Sequence, residues 1–161
     1  MSNKTVQNVT VRKKSHQHIN KSRTVPEVFD LVRQEPTNED KVKLLQAYNT
    51  KALQFVVNGL YNVDWEGLKV PKYTPNHRPP EICSMNLNNS VKKIESAYKL
   101  RYTNPKVSER NLLLVLEELS ADEAELLVNI IKGKKVEGIS KSVFKKTFPA
   151  FFRHEQTTES S

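Results

Sequence analysis

Apolar residues recur every three to four positions along most of the chain, which places them on one face of an α-helix. In the N-terminal half this spacing predicts helices over residues 25–34, 38–48 and 50–58, with Asn58-Gly59 ending the third. The residues that precede each helix supply side-chain oxygens and predict its N-cap: Thr24, Thr37 or Asn38, and Asn49 or Thr50. The third segment is apolar on nearly all sides, so we expect it to be the most buried of the three.

The same periodicity predicts four helices in the C-terminal half. Their expected caps are Asn89 or Ser90, Ser108, Ser120 and Ser140. The pair Asn104-Pro105 predicts a break before the second of these helices, and Gly133 predicts the end of the third. Ser120 and Glu123 have the spacing of a capping box, so we expect both to satisfy exposed backbone groups at their helix start.

A proline-rich segment at residues 62–84 separates the two halves. A continuous helix is excluded there by Pro71, Pro75, Pro79 and Pro80. A loop of this length is uncommon unless it packs or functions, and its apolar side chains predict packing across the helical body: Trp65, Leu68, Val70, Tyr73 and Ile82. The alternative is a ridge around Lys72 and Tyr73 that binds a partner.

Length and composition agree with a single domain. The chain has 161 residues, of which 37% are hydrophobic, enough for one core. We therefore predict an all-α single domain of about seven short helices at residues 24–153, with a flexible basic arm at 1–23 and a disordered tail at 154–161. The four glycines form no phosphate-binding loop, which disfavours a nucleotide-binding enzyme. We expect no catalysis, no cofactor and no small-molecule substrate.

The N-terminal residues carry much of the net charge of +8. Residues 1–24 contain basic side chains and no acidic one, and they include Arg12, Lys13 and Lys14. One interpretation is electrostatic contact with nucleic-acid phosphates, and the other is a solvated leader that aids solubility. His16 and His18 are too few to hold a metal ion, which needs three or four ligands, so we expect no metal site.

A second basic block lies at residues 132–146. It contains six lysines against Glu137: Lys132, Lys134, Lys135, Lys141, Lys145 and Lys146. Phosphate contacts made by these lysines predict binding to nucleic acid without sequence preference, because lysine lacks the planar fork that reads a base edge. The competing interpretation pairs the lysines with the acidic sector at 117–125.

The C-terminal aromatic residues allow two interpretations. Phe148, Phe151 and Phe152 have a spacing that resembles sliding-clamp docking peptides, with Lys145 in place of the usual glutamine. Packing in the core or at its edge is the alternative for all three rings.

The chain carries no signal for a membrane or an oxidising compartment. Its longest apolar run, residues 112–116, is far shorter than the ~20 residues that span a bilayer, and the N-terminal residues do not resemble a signal peptide. The lone Cys83 has no partner for an internal disulfide. We expect a cytoplasmic protein without a membrane partner.

Three segments resemble a family of small proteins encoded by T-even-type tailed phages, including those of marine cyanobacteria. They are residues 24–59, residues 71–76 (PKYTPN) and residues 109–149, the last containing a leucine-rich helix, the turn Asp122-Glu-Ala-Glu-Leu-Leu127 and the closing Gly-Ile-Ser-Lys and Phe-Pro. The resemblance covers residues 23–151 and leaves out the basic arm. It implies a phage origin, action in the cytoplasm of the infected host and no catalytic residues to transfer.

The charge pattern predicts a non-enzymatic protein that associates with nucleic acid through phosphates, and the resemblance implies that it is a phage accessory protein. The alternative is a helical adaptor that binds a host or phage protein during infection, or a minor virion component.

Overall fold

A computed structural model describes residues 19–20 and 22–153. In this part of the chain the helices are α1 Val25–Arg33, α2 Asn38–Ala47, α3 Lys51–Tyr61, α4 Leu87–Lys99, α5 Pro105–Glu118, α6 Ala121–Ile131 and α7 Lys141–Thr147. Short 3-10 turns lie at Pro80–Ile82 and Pro149–Phe152. The described residues contain no strand beyond one isolated bridge between Asn76 and Ser120. The predicted all-α fold is therefore confirmed.

Short polar side chains begin most of the helices. The Thr24 hydroxyl accepts a hydrogen bond from the Glu27 backbone N–H, and the Glu27 carboxylate accepts one from the Thr24 N–H, which completes a capping box. Single caps begin α2, α3 and α7, where the acceptors are the hydroxyls of Thr37, Thr50 and Ser140. These caps were predicted and are confirmed.

Two helices of the C-terminal half begin earlier than the sequence predicts. Helix α4 is capped by Asn86 rather than by Asn89 or Ser90. The predicted break before α5 is present, but α5 is capped by Asn104, with Pro105 in its first turn, rather than by Ser108. Ser108 lies inside α5, where its buried hydroxyl donates to the Ala97 carbonyl at 2.6 Å and ties α5 to α4.

Helix α3 continues past the predicted stop at Gly59. A Cβ atom on Gly59 would lie 3.1 Å from the Trp65 ring and 3.2 Å from the Ile130 side chain. The Trp65 indole N–H also donates to the Gly59 carbonyl at 2.8 Å. Gly59 therefore allows the loop and α6 to pack closely against the helix backbone, and it does not end the helix.

The core lies around α3, which packs against α4, α6 and the C-terminal 3-10 turn. Its residues Leu53, Val56 and Val57 are buried, as predicted for the most buried N-terminal segment. Helix α7 packs against α2, and the Phe144 ring contacts the Phe29 ring edge-on with 5.8 Å between centroids. Helices α4 and α5 make the most extensive contact between two helices.

The proline-rich segment packs against the helices. Leu68 is buried, and the partly buried side chains of Trp65, Val70 and Tyr73 pack on the core. The segment is also anchored at the corner between α5 and α6, where the Ala121 N–H donates to the Asn76 carbonyl at 2.9 Å. The packing interpretation is confirmed, except that the Ile82 side chain is 62% exposed.

Ser120 and Glu123 do not form the predicted capping box. The Ser120 side chain caps no backbone group, and its hydroxyl donates to the Glu123 carboxylate at 3.0 Å. The other oxygen of this carboxylate accepts from the Leu87 N–H at 3.1 Å, so Glu123 joins the start of α6 to the start of α4. Glu123 is only 2% exposed, because its carboxylate accepts a hydrogen bond from the backbone of a neighbouring helix rather than from its own.

Candidate nucleic-acid interface

The end of α6 fixes the first part of the basic block at residues 132–146, called here the lysine segment. Gly133 has a φ of +78°, and its N–H donates to the Ile130 carbonyl at 3.0 Å. The Lys134 N–H donates to the Asn129 carbonyl at 2.9 Å, which completes a Schellman motif. The predicted glycine stop is thus confirmed, and the motif fixes the backbone of Lys134.

Two cationic side chains from other helices hold the backbone of the loop that follows. The Arg33 Nε donates to the Glu137 carbonyl at 2.7 Å, and the Lys41 Nζ donates to the Gly138 carbonyl at 3.2 Å. Gly138 has a φ of +80°, and a Cβ atom there would lie 3.1 Å from the Arg33 side chain. Helices α1 and α2 therefore fix the backbone that follows Lys135.

Helix α7 supplies the rest of the lysine segment. Its apolar side faces the core through Val143 and Phe144. Lys141 and Lys146 are exposed, and Lys145 is half-buried. With the exposed Lys132, Lys134 and Lys135, the segment presents five exposed lysines from one helix end, one loop and one short helix.

Lys134 and Lys135 line a cleft of 480 Å³ between α1 and α6. Asp122 and Glu125 line the same cleft, so it contains charges of both signs. Within the described part of the chain, however, neither lysine forms an ion pair within 4.0 Å of a carboxylate. Direct pairing with the acidic sector is therefore not observed for these two lysines, and both are exposed.

The arm residues Arg12, Lys13 and Lys14 lie outside the described residues, as do His16, His18 and the tail at 154–161. In the part of the chain that the structure covers, no group of three or more His, Cys, Asp or Glu side chains is arranged to hold a metal ion.

The residues predicted to bind a protein partner differ in their accessibility. Lys72 is exposed and Tyr73 is half-buried. Burial raises the pKa of the Tyr73 hydroxyl, and the nearby Glu125 carboxylate raises it further. The Lys72 side chain is thus the accessible part of the proposed ridge, whereas the Tyr73 ring packs against the core.

The C-terminal phenylalanines follow the packing interpretation. Phe152 is fully buried and its ring lies 5.2 Å from the Tyr61 ring, while Phe148 is 8% exposed. The burial of these two rings favours core packing, and partner binding through them stays a prediction. Phe151 is half-buried, and its carbonyl accepts from the Asn62 side chain at 2.8 Å.

An exposed aromatic residue in the turn between α4 and α5 is not predicted by the hydrophobic pattern of the sequence. Tyr102 is 64% exposed, and the Arg101 guanidinium lies 4.5 Å from the centroid of its ring. No helical periodicity points to Tyr102, because it lies between helices. The sequence feature that could have identified Tyr102 is an aromatic side chain that lies between basic residues in a turn.

Comparisons with protein families, curated proteins and solved structures find no match to this chain. The resemblance to the phage family therefore stays a prediction. Among the described helices, none combines the length and the apolar character needed to cross a membrane.

Proposed function

We propose that this protein is a non-enzymatic phage accessory protein that associates with nucleic acid through contacts with phosphates. The proposal is carried by the lysine segment, whose exposed side chains extend from a backbone fixed by α1, α2 and α6. In the described part of the chain, Lys132, Lys134, Lys135 and Lys146 form no ion pair with a carboxylate. Such lysines can neutralise phosphates and release their condensed counterions.

The chemistry of the segment favours binding without sequence preference. Lysine presents a compact charge on a flexible stem, whereas base reading in the major groove relies mostly on bidentate arginine, asparagine or glutamine. Asp122 and Glu125 repel a phosphate inside the cleft. Phosphates are therefore expected to contact the lysines along the cleft rim.

Fluorescence anisotropy with two labelled DNA duplexes of unrelated sequence tests this function. We expect similar affinities for both duplexes and a weaker, equal affinity for the double variant Lys134→Gln/Lys135→Gln. The matched control Lys51→Gln/Lys69→Gln removes the same charge from exposed positions outside the segment and is expected to bind more tightly than the first variant. Absence of binding at low salt, or equal losses in both variants, would contradict the proposed interface.

A helical adaptor is the second candidate, and one observation favours it. Leu114 on α5 is 53% exposed and lines a groove of 270 Å³ that also includes Met85 on the side of α4. An exposed leucine in a groove between helices can pack against an apolar side chain of a partner protein. Loss of a nuclease-resistant co-purifying protein in Leu114→Asp would support the adaptor, and an unchanged set of proteins would argue against this groove.

A further inference from the structure

Tyr102 is an exposed aromatic residue that the fold holds in place. Its side chain is 64% exposed, yet its hydroxyl donates to the Glu66 carbonyl at 3.0 Å. This hydrogen bond joins the turn after α4 to the loop after α3. The fold therefore fixes a ring that it does not bury.

The Arg101 guanidinium supports the same ring. Its central carbon lies 3.7 Å from the centroid of the Tyr98 ring and 4.5 Å from that of Tyr102. The guanidinium also donates to the Glu66 carbonyl and to the Tyr98 carbonyl, each at 2.9 Å. Arg101 is therefore immobilised, and its guanidinium lies over the exposed Tyr102 ring in a cation–π contact.

Gly67 makes room for the Tyr102 ring. A Cβ atom on Gly67 would lie 2.4 Å from Cε1 of Tyr102, and the φ of +88° independently favours glycine. Gly67 belongs to the turn that the Leu68 N–H closes on the Trp65 carbonyl at 3.1 Å. Both the loop and the turn after α4 are thus shaped around this ring.

The charges near Tyr102 favour a ligand that combines rings with phosphates. Residues 99–108 contain Lys99, Arg101 and Lys106 and no carboxylate, whereas the facing loop carries Asp64 and Glu66. The local excess of positive charge is small. A ligand that offers only negative charge would therefore gain little binding energy here. Contact with the face of the Tyr102 ring has to supply part of the affinity.

We propose that Tyr102 is a stacking platform for an unpaired base of single-stranded nucleic acid, with Lys99 and Lys106 contacting the flanking phosphates. The inference rests on the proposed function and assigns it a preferred ligand, a single strand rather than a duplex. Proteins that bind single strands combine positive charges along the nucleic-acid backbone with aromatic side chains on which bases stack, because every base presents a π-face. In a duplex these faces are stacked against the neighbouring base pairs and are not accessible to Tyr102.

The test separates base stacking from phosphate contact. A labelled oligothymidylate is compared with an abasic oligomer of the same length and charge, both by fluorescence anisotropy. The native chain is expected to prefer the oligothymidylate by about 5-fold to 150-fold, the range of one stacked base. Tyr102→Ser is expected to lose this preference and keep its affinity for the abasic oligomer.

Two further variants control the result. Tyr102→Phe keeps the ring and is expected to keep the preference, although it loses the hydrogen bond to Glu66. Ile82→Ser removes a similarly exposed apolar side chain and is expected to behave as the native chain does.

The outcomes distinguish this inference from the proposed function. Equal binding of both oligomers by the native chain overturns the stacking platform and leaves phosphate association standing. Absence of binding to either oligomer overturns both. A preference that persists in Tyr102→Ser places the stacked base on another residue and overturns the assignment.

Discussion

Replacing Glu123 by alanine removes the acceptor that joins α6 to α4. The Leu87 N–H and the Ser120 hydroxyl, both in buried residues, then lose their partner. An unsatisfied buried polar group costs about 1–3 kcal/mol, so two groups amount to about 2–6 kcal/mol. Because the serine hydroxyl can rotate towards another acceptor, we expect the lower part of this range, about 2–4 kcal/mol.

Glu123→Gln separates the hydrogen bond from the charge. Its amide oxygen can still accept from the Leu87 N–H, so we expect it to be more stable than Glu123→Ala. Burial raises the pKa of the Glu123 carboxyl above the ordinary 4.5. Its hydrogen bonds to the Leu87 N–H and the Ser120 hydroxyl lower the pKa, whereas the Glu27 carboxylate raises it. The net shift is upward, so the folded chain binds this proton more tightly than the unfolded chain does.

The raised pKa determines the sign of the pH dependence. The stabilisation linked to protonation of Glu123 is fully present below pH 4.5 and is lost as the pH rises through the folded-state pKa. The free energy of unfolding of the native chain, relative to that of Glu123→Gln, is therefore expected to fall from acid to neutral pH. Urea unfolding followed by circular dichroism at several pH values measures this difference.

Two results would refute this reasoning. Glu125 lies on the same helix and is exposed, so Glu125→Ala is the matched control and is expected to cost less than Glu123→Ala. Equal losses in the two variants would show that the buried carboxylate does not join the helices. Parallel pH profiles for the native chain and Glu123→Gln would show that its pKa is not raised.

Two further pairs of substitutions test the packing and the loop geometry. Leu116→Ala is expected to cost about 2–5 kcal/mol because its side chain is fully buried, whereas Leu114→Ala at an exposed position is expected to change the urea midpoint little. Gly138→Ala is expected to be less stable than Gly133→Ala, because both have positive φ but only Gly138 brings a new Cβ atom against Arg33. Equal midpoints within either pair would contradict the corresponding contact.

Local signals in the sequence place most of the helices, because a cap or a stop is decided within one helical turn. The end of α6 is an example, since Gly133, just after the helix, adopts a positive φ that other residues rarely adopt. The helix caps predicted in this way and confirmed are Thr24, Thr37, Thr50 and Ser140.

Contacts between distant residues account for the errors. Ser108 and Glu123 both have the spacing of a cap, but Ser108 donates to Ala97 on α4 and Glu123 accepts from Leu87 on α4. Gly59 has the spacing of a stop, but it admits the Trp65 ring. No pattern within one helical turn distinguishes these uses, because the partner lies on another element.

The candidate site could be predicted only in part. The sequence identifies the lysines, but it does not place Lys134 and Lys135 beside Asp122 and Glu125 in one cleft. Nor does it indicate Tyr102, whose position depends on contacts with the loop after α3.

The salt dependence of DNA binding tests the central claim most directly. Each phosphate contact contributes about 0.9 to the slope of log affinity against log salt concentration for a duplex. We expect a linear decrease for the native chain and a slope flatter by about 1–2 for Lys134→Gln/Lys135→Gln, since two contacts are lost. An affinity that does not change with salt, or the same slope in both proteins, would contradict phosphate binding by the lysine segment.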